Sequence, residues 1–170
     1  QLLRWRVKET GDKVALREKD FGYWNNYTWN DFYDHVRKIA LGLEKVGVKK
    51  GDKLALIGDN IPEMLFMAIG AQSIGAISAG IYQTTLPDEI AELINYMDVT
   101  AVFCDDQEQV DKLVEVREQI PKVKKVLYED PRGMRGYRSD DWFMFIDDLY
   151  EIGEQAHQDN PQHFDMLVDQ

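Results

Sequence analysis

A nucleophilic active site needs a reactive side chain beside a base, and histidine is the base that proteins use most often. The chain contains three histidines and one cysteine. His35 lies between Asp34 and Arg37 on the charged face of a predicted helix, which indicates a solvated surface side chain. Cys104 ends an apolar run and precedes two aspartates, which would raise the pKa of its thiol. These residues therefore predict a buried, unreactive thiol and no nucleophile–base pair.

Two kinds of residue cluster could supply metal ligands. His157 and His163 flank Pro161 in a polar stretch, but no cysteine or further histidine completes a four-ligand zinc site there. Three acidic pairs offer the oxygen ligands that hard cations take. They are Asp105–Asp106, Asp140–Asp141 and Asp147–Asp148. Because carboxylates at the start of a helix cap its free N–H groups, we favour a capping role for Asp105 and Asp106 over metal binding.

The glycines do not form a phosphate-binding loop. Gly70, Gly75 and Gly80 are not followed by the Lys-Ser/Thr pair of such a loop. The turn 58–62 lies where a dinucleotide fold carries its glycine-rich loop, but it lacks the second and third glycines, so we expect neither NAD nor FAD binding. The basic segment Arg132–Arg138 could contact an anionic ligand, although a solvated loop is the favoured interpretation.

The elements that must position these residues follow from the hydrophobic pattern. Residues 13–28 predict an antiparallel hairpin, and Thr28 with Asp31 predicts a capped helix that ends near Gly47. The stretch Met64–Met67 is apolar all round and predicts a core helix rather than a lipid-binding stripe. A loop, one more helix and an unpatterned tail are predicted over residues 131–142, 145–156 and 158–170.

Short apolar runs alternate with helical stretches between these ends. The predicted strands are 54–57, 76–82, 101–104 and 125–128, and the predicted helices are 62–75, 87–97 and 106–120. Such alternation is typical of βαβ units. The sequence therefore predicts an α/β fold, in which an N-terminal β-hairpin and helix lead into a mostly parallel sheet with helices on both faces.

Composition narrows the classes of function. The chain is 44% hydrophobic and has 31 acidic and 20 basic residues, a net charge of −11. The charge argues against a nucleic-acid or anionic-membrane binder, because such a surface repels phosphates. We see no transmembrane stretch and no signal peptide. The single cysteine allows no internal disulfide, so we expect a cytoplasmic protein, and Gln1 in place of Met indicates residues missing upstream.

Several segments together resemble a known family. They are 2–16, 27–29, 48–60, 75–82, 105–113 and 130–137. In order and spacing they are similar to the N-terminal part of AMP-forming acyl-CoA synthetases, the adenylate-forming ligases, and most closely to bacterial long-chain fatty-acid–CoA ligases. The resemblance implies that residues 1–170 are an N-terminal portion of the large AMP-binding domain. Residues 1–28 would be its hairpin, 29–130 its βαβ layer, and 131–170 a loop and helix leading to a phosphate loop.

The resemblance implies a two-step reaction for the parent protein. A fatty carboxylate attacks the α-phosphate of ATP, with Mg²⁺ bound, to give an acyl-adenylate and pyrophosphate, and the thiol of CoA then displaces AMP. The phosphate loop, later motifs and C-terminal lid that do this in the family are not in the sequence. We therefore expect the 170 residues to be an inactive scaffold that binds no cofactor alone.

One site assignment follows from the resemblance. Gly80-Ile81-Tyr82 matches a strand exit near the CoA nucleotide in related synthetases, where glycine permits close approach and tyrosine can stack on adenine. No catalytic or metal-ligating residue is assigned. We expect a fatty acid substrate and at most peripheral contact of the parent protein with the inner face of the membrane. The sequence leaves open whether the chain forms a homo-oligomer. The alternative function is a stand-alone nucleotide- or partner-binding α/β module.

Overall fold

A computed structural model describes residues 1–169. The chain begins with helix α1 (Leu2–Thr10), which has no side-chain cap and buries none of its residues. Strands β1 (Val14–Asp20) and β2 (Tyr23–Thr28) then form the predicted antiparallel hairpin. The assignment of all of residues 1–28 to a hairpin is wrong for α1. A helix with no fully buried residue leaves no clear apolar stripe in the sequence, and this explains why the pattern does not predict it.

Helix α2 (Trp29–Lys45) starts at the predicted capping box. The hydroxyl oxygen of Thr28 accepts a hydrogen bond from the backbone N–H of Asp31 at 3.1 Å. The Asp31 carboxylate in turn accepts one from the backbone N–H of Thr28 at 2.8 Å. Two N–H groups at the start of the helix are thereby satisfied, which fixes where α2 begins. The helix ends before Gly47, whose φ of 97° suits glycine.

Five parallel strands form the sheet in the order β4-β3-β5-β6-β7. The strands are β3 (Lys53–Ile57), β4 (Ile77–Ile81), β5 (Val99–Cys104), β6 (Lys125–Tyr128) and β7 (Phe143–Phe145). The helices between them are α3 (Pro62–Ser73), α4 (Pro87–Met97) and α5 (Gln107–Glu115). Each of these helices returns the chain to the edge where the next parallel strand begins. The predicted α/β fold is confirmed.

The C-terminal part departs from the prediction in two places. The first residue of the predicted helix 145–156 belongs to strand β7, and the observed helix is α6 (Ile146–Asp159). Helix α7 (His163–Val168) lies in the stretch predicted to have no pattern. A strand of 3 residues and a helix of 6 residues are too short to show a period in the sequence.

Side chains alternate across the sheet and build two cores. Leu54, Phe103 and Leu127 pack on one face with α2, α3 and α6. Val102 and Val126 pack on the other face, which α4 and α5 cover. Strands buried on both faces are continuous apolar runs, and for this reason the sequence predicts them well.

Candidate functional site

The strand order reverses between β3 and β5. The chain passes from β3 to β4 on one side of β3 and then returns to β5 on the other side. In open α/β sheets, ligands bind at the carboxyl ends of the strands near such a reversal. Gly58 and Asp59 follow β3 there, and Asp105 and Asp106 follow β5. We call the residues that directly follow β3, β4, β5 and β6 the carboxyl edge.

Asp105 is a buried residue of the carboxyl edge, with 8% of its surface exposed. Its Oδ2 accepts a hydrogen bond from the backbone N–H of Asp59 at 2.7 Å, whereas Oδ1 has no hydrogen-bond partner among residues 1–169. Burial raises the pKa of this carboxyl group. A Cβ added to Gly58 would lie 2.3 Å from Asp105 Cγ. Glycine at position 58 therefore lets the loops after β3 and β5 meet.

Only one member of the predicted capping pair caps helix α5. The carboxylate of Asp106 accepts a hydrogen bond from the backbone N–H of Gln109 at 3.1 Å. The capping prediction is wrong for Asp105, because its side chain turns towards Asp59 in the loop after β3. Sequence reasoning missed this contact, since it joins two loops that only the strand order brings together.

The triplet Gly80-Ile81-Tyr82 lies at the end of β4, one strand from the reversal. Ile81 is buried, an added Cβ at Gly80 meets nothing within 4 Å, and Tyr82 is 86% exposed. The next residue, Gln83, joins this end to the loop after β3, since its amide donates a hydrogen bond to Asp59 Oδ1 at 2.7 Å. The carboxyl edge therefore presents an exposed aromatic ring that can stack on a planar ligand.

The charge of the carboxyl edge is negative. Glu129 and Asp130 follow β6, and Glu63 lies in the first turn of α3. Burial raises the pKa of Glu129 to about 7, and the charges of Glu63, Asp130 and Glu18 add to the effect. Carboxylates at this density repel a phosphate group.

His35 does not lie on a solvated surface, and that prediction is wrong. Its ring stacks on Phe66 with centroids 4.4 Å apart, and its Nδ1 lies 2.9 Å from the hydroxyl of Tyr150. Burial lowers the pKa of the imidazole. His35 follows Phe32 by three positions and precedes Ile39 by four, so it lies beside the apolar stripe of α2. That spacing is the signal that the prediction overlooked.

Other candidates from the sequence have structural contacts. Cys104 is fully buried as predicted, and burial raises the pKa of its thiol. His163 Nε2 lies 2.6 Å from a carboxylate oxygen of Glu44. Arg132 of the basic loop pairs with Asp130. Within residues 1–169, no three His, Cys, Asp or Glu side chains converge on a point where a metal ion could bind.

The acidic pairs and the apolar stretch also take structural roles. Asp140 pairs with Arg117, and Asp147 and Asp148 lie in the first turn of α6. Phe66 and Met67 are fully buried in α3, as the predicted core helix requires, whereas Leu65 is 46% exposed, so the helix is not buried all round. None of the helices in the described chain has the length and apolar content that crossing a bilayer requires.

The arrangement of hairpin, helix and parallel sheet is shared with known proteins. A sequence model described as AMP-binding enzyme matches residues 3–163. The chain belongs to this family. Long-chain-fatty-acid–CoA ligase ACSBG1 of Rattus norvegicus is 30% identical over 170 residues, which cover 99% of this chain and 23% of that protein. 4-Hydroxybutyrate–CoA ligase 2 of Metallosphaera sedula is 35% identical over 120 residues, 71% of this chain and 21% of the relative.

A solved structure shares the fold of this AMP-binding family member. The anthranilate CoA ligase AuaEII, in complex with anthranoyl-AMP, superimposes with a TM-score of 0.77 at 17% identity. The match covers 88% of this chain and 27% of that chain. The predicted resemblance to long-chain fatty-acid–CoA ligases is confirmed at about 30% identity. The chain spans about a fifth of the length of the curated relatives it matches.

The nucleotides used by AMP-binding enzymes fit the carboxyl edge only in part. The exposed ring of Tyr82 can stack on a purine. Phosphates need cations or converging N–H groups. Two cations near this edge already have partners: Lys112 of α5 donates a hydrogen bond to the backbone carbonyl of Gln83 and pairs with Glu108 at 3.1 Å, and Arg132 pairs with Asp130. The edge therefore offers a ring on which a purine can stack, whereas its acidic surface does not fit the triphosphate of ATP.

The raised pKa of Glu129 predicts how stability depends on pH. The pKa is about 7 in the folded chain against an ordinary value of 4.5, so between these values the native state holds a proton that the unfolded state releases. The free energy of unfolding should therefore fall as pH rises through this window and stay lower above it. Glu129→Gln should remove this contribution and make the chain more stable than the unchanged one at about pH 8.

Urea denaturation at about pH 5 and about pH 8 measures the effect of Glu129→Gln. Glu115→Gln is the matched control, because Glu115 is an exposed residue of α5. The control should keep the pH dependence of the unchanged chain. If Glu129→Gln also keeps it, the carboxyl group of Glu129 does not titrate near pH 7.

Proposed function

We propose that this chain is an N-terminal portion of an AMP-forming long-chain fatty-acid–CoA ligase. The parent protein would convert a fatty acid, ATP and CoA to acyl-CoA, AMP and pyrophosphate through an acyl-adenylate. The observation that carries the proposal is the 30% identity to a long-chain-fatty-acid–CoA ligase across 99% of the chain. The family match over residues 3–163 supports the adenylate-forming step.

In this reaction the chain would form part of the scaffold of the active site, and residues outside it would stabilise the reacting groups. Formation of an acyl-adenylate develops charge on phosphate oxygens, which cations and fixed N–H donors stabilise. The carboxyl edge is acidic, and the ammonium group of Lys112 is already paired. We assign to Tyr82 a stacking contact with the adenine of CoA, for which the exposure of its ring and the open space at Gly80 are the support.

The isolated 170-residue chain is expected to form no acyl-CoA. The longer gene product that contains it should release AMP only when a fatty acid is present, because the adenylate forms on the fatty carboxylate. Both are assayed with ATP, Mg²⁺, CoA and hexadecanoate, by AMP release and by mass spectrometry of acyl-CoA. Acyl-CoA made by the isolated chain would contradict the scaffold role. AMP release by the longer gene product that does not depend on the fatty acid would contradict the ligase proposal.

A stand-alone nucleotide-binding module is the second candidate, and the exposed Tyr82 near the strand reversal favours it. A module of this kind should bind CoA or ATP without further sequence. Ligand that binds only the native state raises Tm, so thermal denaturation of the isolated chain with each nucleotide is the test. An unchanged Tm with both nucleotides argues against the module and leaves the ligase proposal standing.

A further inference from the structure

A concave apolar groove of about 720 Å³ lies at the edge of the sheet opposite to the carboxyl edge. Helix α1, the first turns of α2, the end of α3 and helix α7 enclose it. Lys50 and Gly75 line it and come just before β3 and β4, so the groove lies where these strands begin. The apolar lining includes Leu3, Phe32, Ile69, Phe164 and Leu167. Pockets for small molecules have volumes of roughly 300–1,000 Å³, a range that includes this groove.

The charge of the groove is opposite to that of the chain. Its lining contains Arg4, Arg6 and Lys50 and no aspartate or glutamate, although acidic residues outnumber basic ones by 31 to 20 in the chain. Arg4 is paired with Asp165 and Asp169 in α7 and just beyond it. Arg6 and Lys50 make no ion pair within residues 1–169, so two cations of the groove are free to meet an anion.

The side chains around the two free cations hold them at the apolar surface. The guanidinium of Arg6 lies near two rings, with its central carbon 5.1 Å from the centroid of Trp5 and 5.7 Å from that of Trp29, which lines the groove. The aliphatic stem of Lys50 lies against Gly75, where an added Cβ would be 2.8 Å from Lys50 Cγ. Long basic side chains that lay their stems on apolar surface present the charged group at its border. The groove therefore combines an apolar interior with a cationic rim.

We propose that this groove binds a long-chain fatty acid, with its alkyl chain against the apolar lining and its carboxylate at the cationic rim. A nucleotide suits the groove poorly, because its base and sugar need hydrogen-bond partners that the apolar lining lacks. A second copy of the chain is disfavoured by repulsion between two molecules of net charge −11. The site is separate from the carboxyl edge, and its occupation requires neither ATP nor CoA.

Titration of the isolated chain with the fluorescent fatty acid cis-parinarate tests the proposal. Trp29 lines the groove, so excitation of tryptophan should produce parinarate emission that saturates at about micromolar ligand. Tetradecanoate should displace the probe. Tetradecan-1-ol has the same chain length without the charge, and it should compete roughly tenfold less well.

Two variants locate the binding. Lys50→Glu places a negative charge at the rim and should weaken parinarate binding roughly tenfold, whereas Lys49→Glu, an exposed neighbour outside the groove, should change it less than about twofold. Ser73→Phe adds a bulky ring to the lining and should abolish binding. Circular dichroism confirms that each variant is folded before it is titrated.

Four results would overturn the proposal. They are no saturable parinarate emission, equal competition by the alcohol, equal effects of Lys50→Glu and Lys49→Glu, and full binding by a folded Ser73→Phe chain. A fifth such result would come from sedimentation in the absence of ligand. If the unchanged chain is a dimer and the Ser73→Phe chain is a monomer, a second copy of the chain occupies the groove. Because the titration contains no ATP or CoA, a failed ligase assay does not affect its outcome.

Discussion

Replacement of Gly153 by alanine is expected to lower the free energy of unfolding by about 3 kcal/mol. Gly153 lies in α6, where this helix crosses α2. An added Cβ would be 1.9 Å from the backbone carbonyl oxygen of Lys38, and a backbone atom cannot rotate away as a side chain can. The two helices would have to separate, and their close packing would be lost. Thermal denaturation should show a Tm lower by about 6–12 °C for a chain of this size.

Gly136→Ala is the matched control for the helix crossing. It makes the same change at a glycine whose added Cβ meets nothing within 4 Å. Its effect on the free energy of unfolding should stay within about 0.5 kcal/mol. If Gly153→Ala were as stable as this control, α2 and α6 would not approach each other as closely as the structure has them.

The crossing also holds polar contacts between α2 and α6. Arg37 is 8% exposed, and its guanidinium donates a hydrogen bond to the carboxylate of Glu154 at 3.0 Å. His35 meets the hydroxyl of Tyr150 in the same interface. A buried charge that loses its partner is destabilising. Separation of the helices at Gly153, next to Glu154, would therefore weaken these contacts together with the apolar packing.

Elements with strong local signals could be predicted from the sequence. The apolar run 54–57 is β3 almost residue for residue, because a strand buried on both faces must be apolar throughout. Thr28 and Asp31 mark the start of α2, because a capping box involves residues only three positions apart. In contrast, the sequence pattern predicts neither α1 nor β7, since α1 buries no residue and β7 is only 3 residues long.

Contacts between distant segments could not be predicted in the same way. The sequence shows that Gly58 begins a turn, but its role depends on Asp105, which the strand order brings beside it. Likewise, the charged neighbours Asp34 and Arg37 predict a surface position for His35, whereas the residues that bury it, Phe66 and Tyr150, lie far away in the sequence. The assignment of Gly80–Tyr82 came from family resemblance, and its position at the carboxyl edge follows from the parallel direction of β4.

Phe66→Ala is expected to cost about 3–5 kcal/mol of stability, the largest effect among the substitutions considered for the fold. The side chain is fully buried. Its ring contacts Tyr27 from the hairpin and Phe32 and His35 from α2, with centroid distances of 5.6, 5.1 and 4.4 Å. Removal of the ring leaves a cavity where three elements meet, and Tm should fall by about 6–20 °C.

Phe21→Ala is the matched control for Phe66→Ala, because Phe21 is 88% exposed at the hairpin turn and should contribute at most about 0.5 kcal/mol. A second readout follows from the cavity. Water that enters beside His35 relieves the burial that lowers its pKa, so this pKa should rise towards 6.5 in Phe66→Ala, as measured by an NMR titration of the ring protons. If Tm and the pKa of His35 both stayed unchanged, the stack between His35 and Phe66 would not exist in the folded chain.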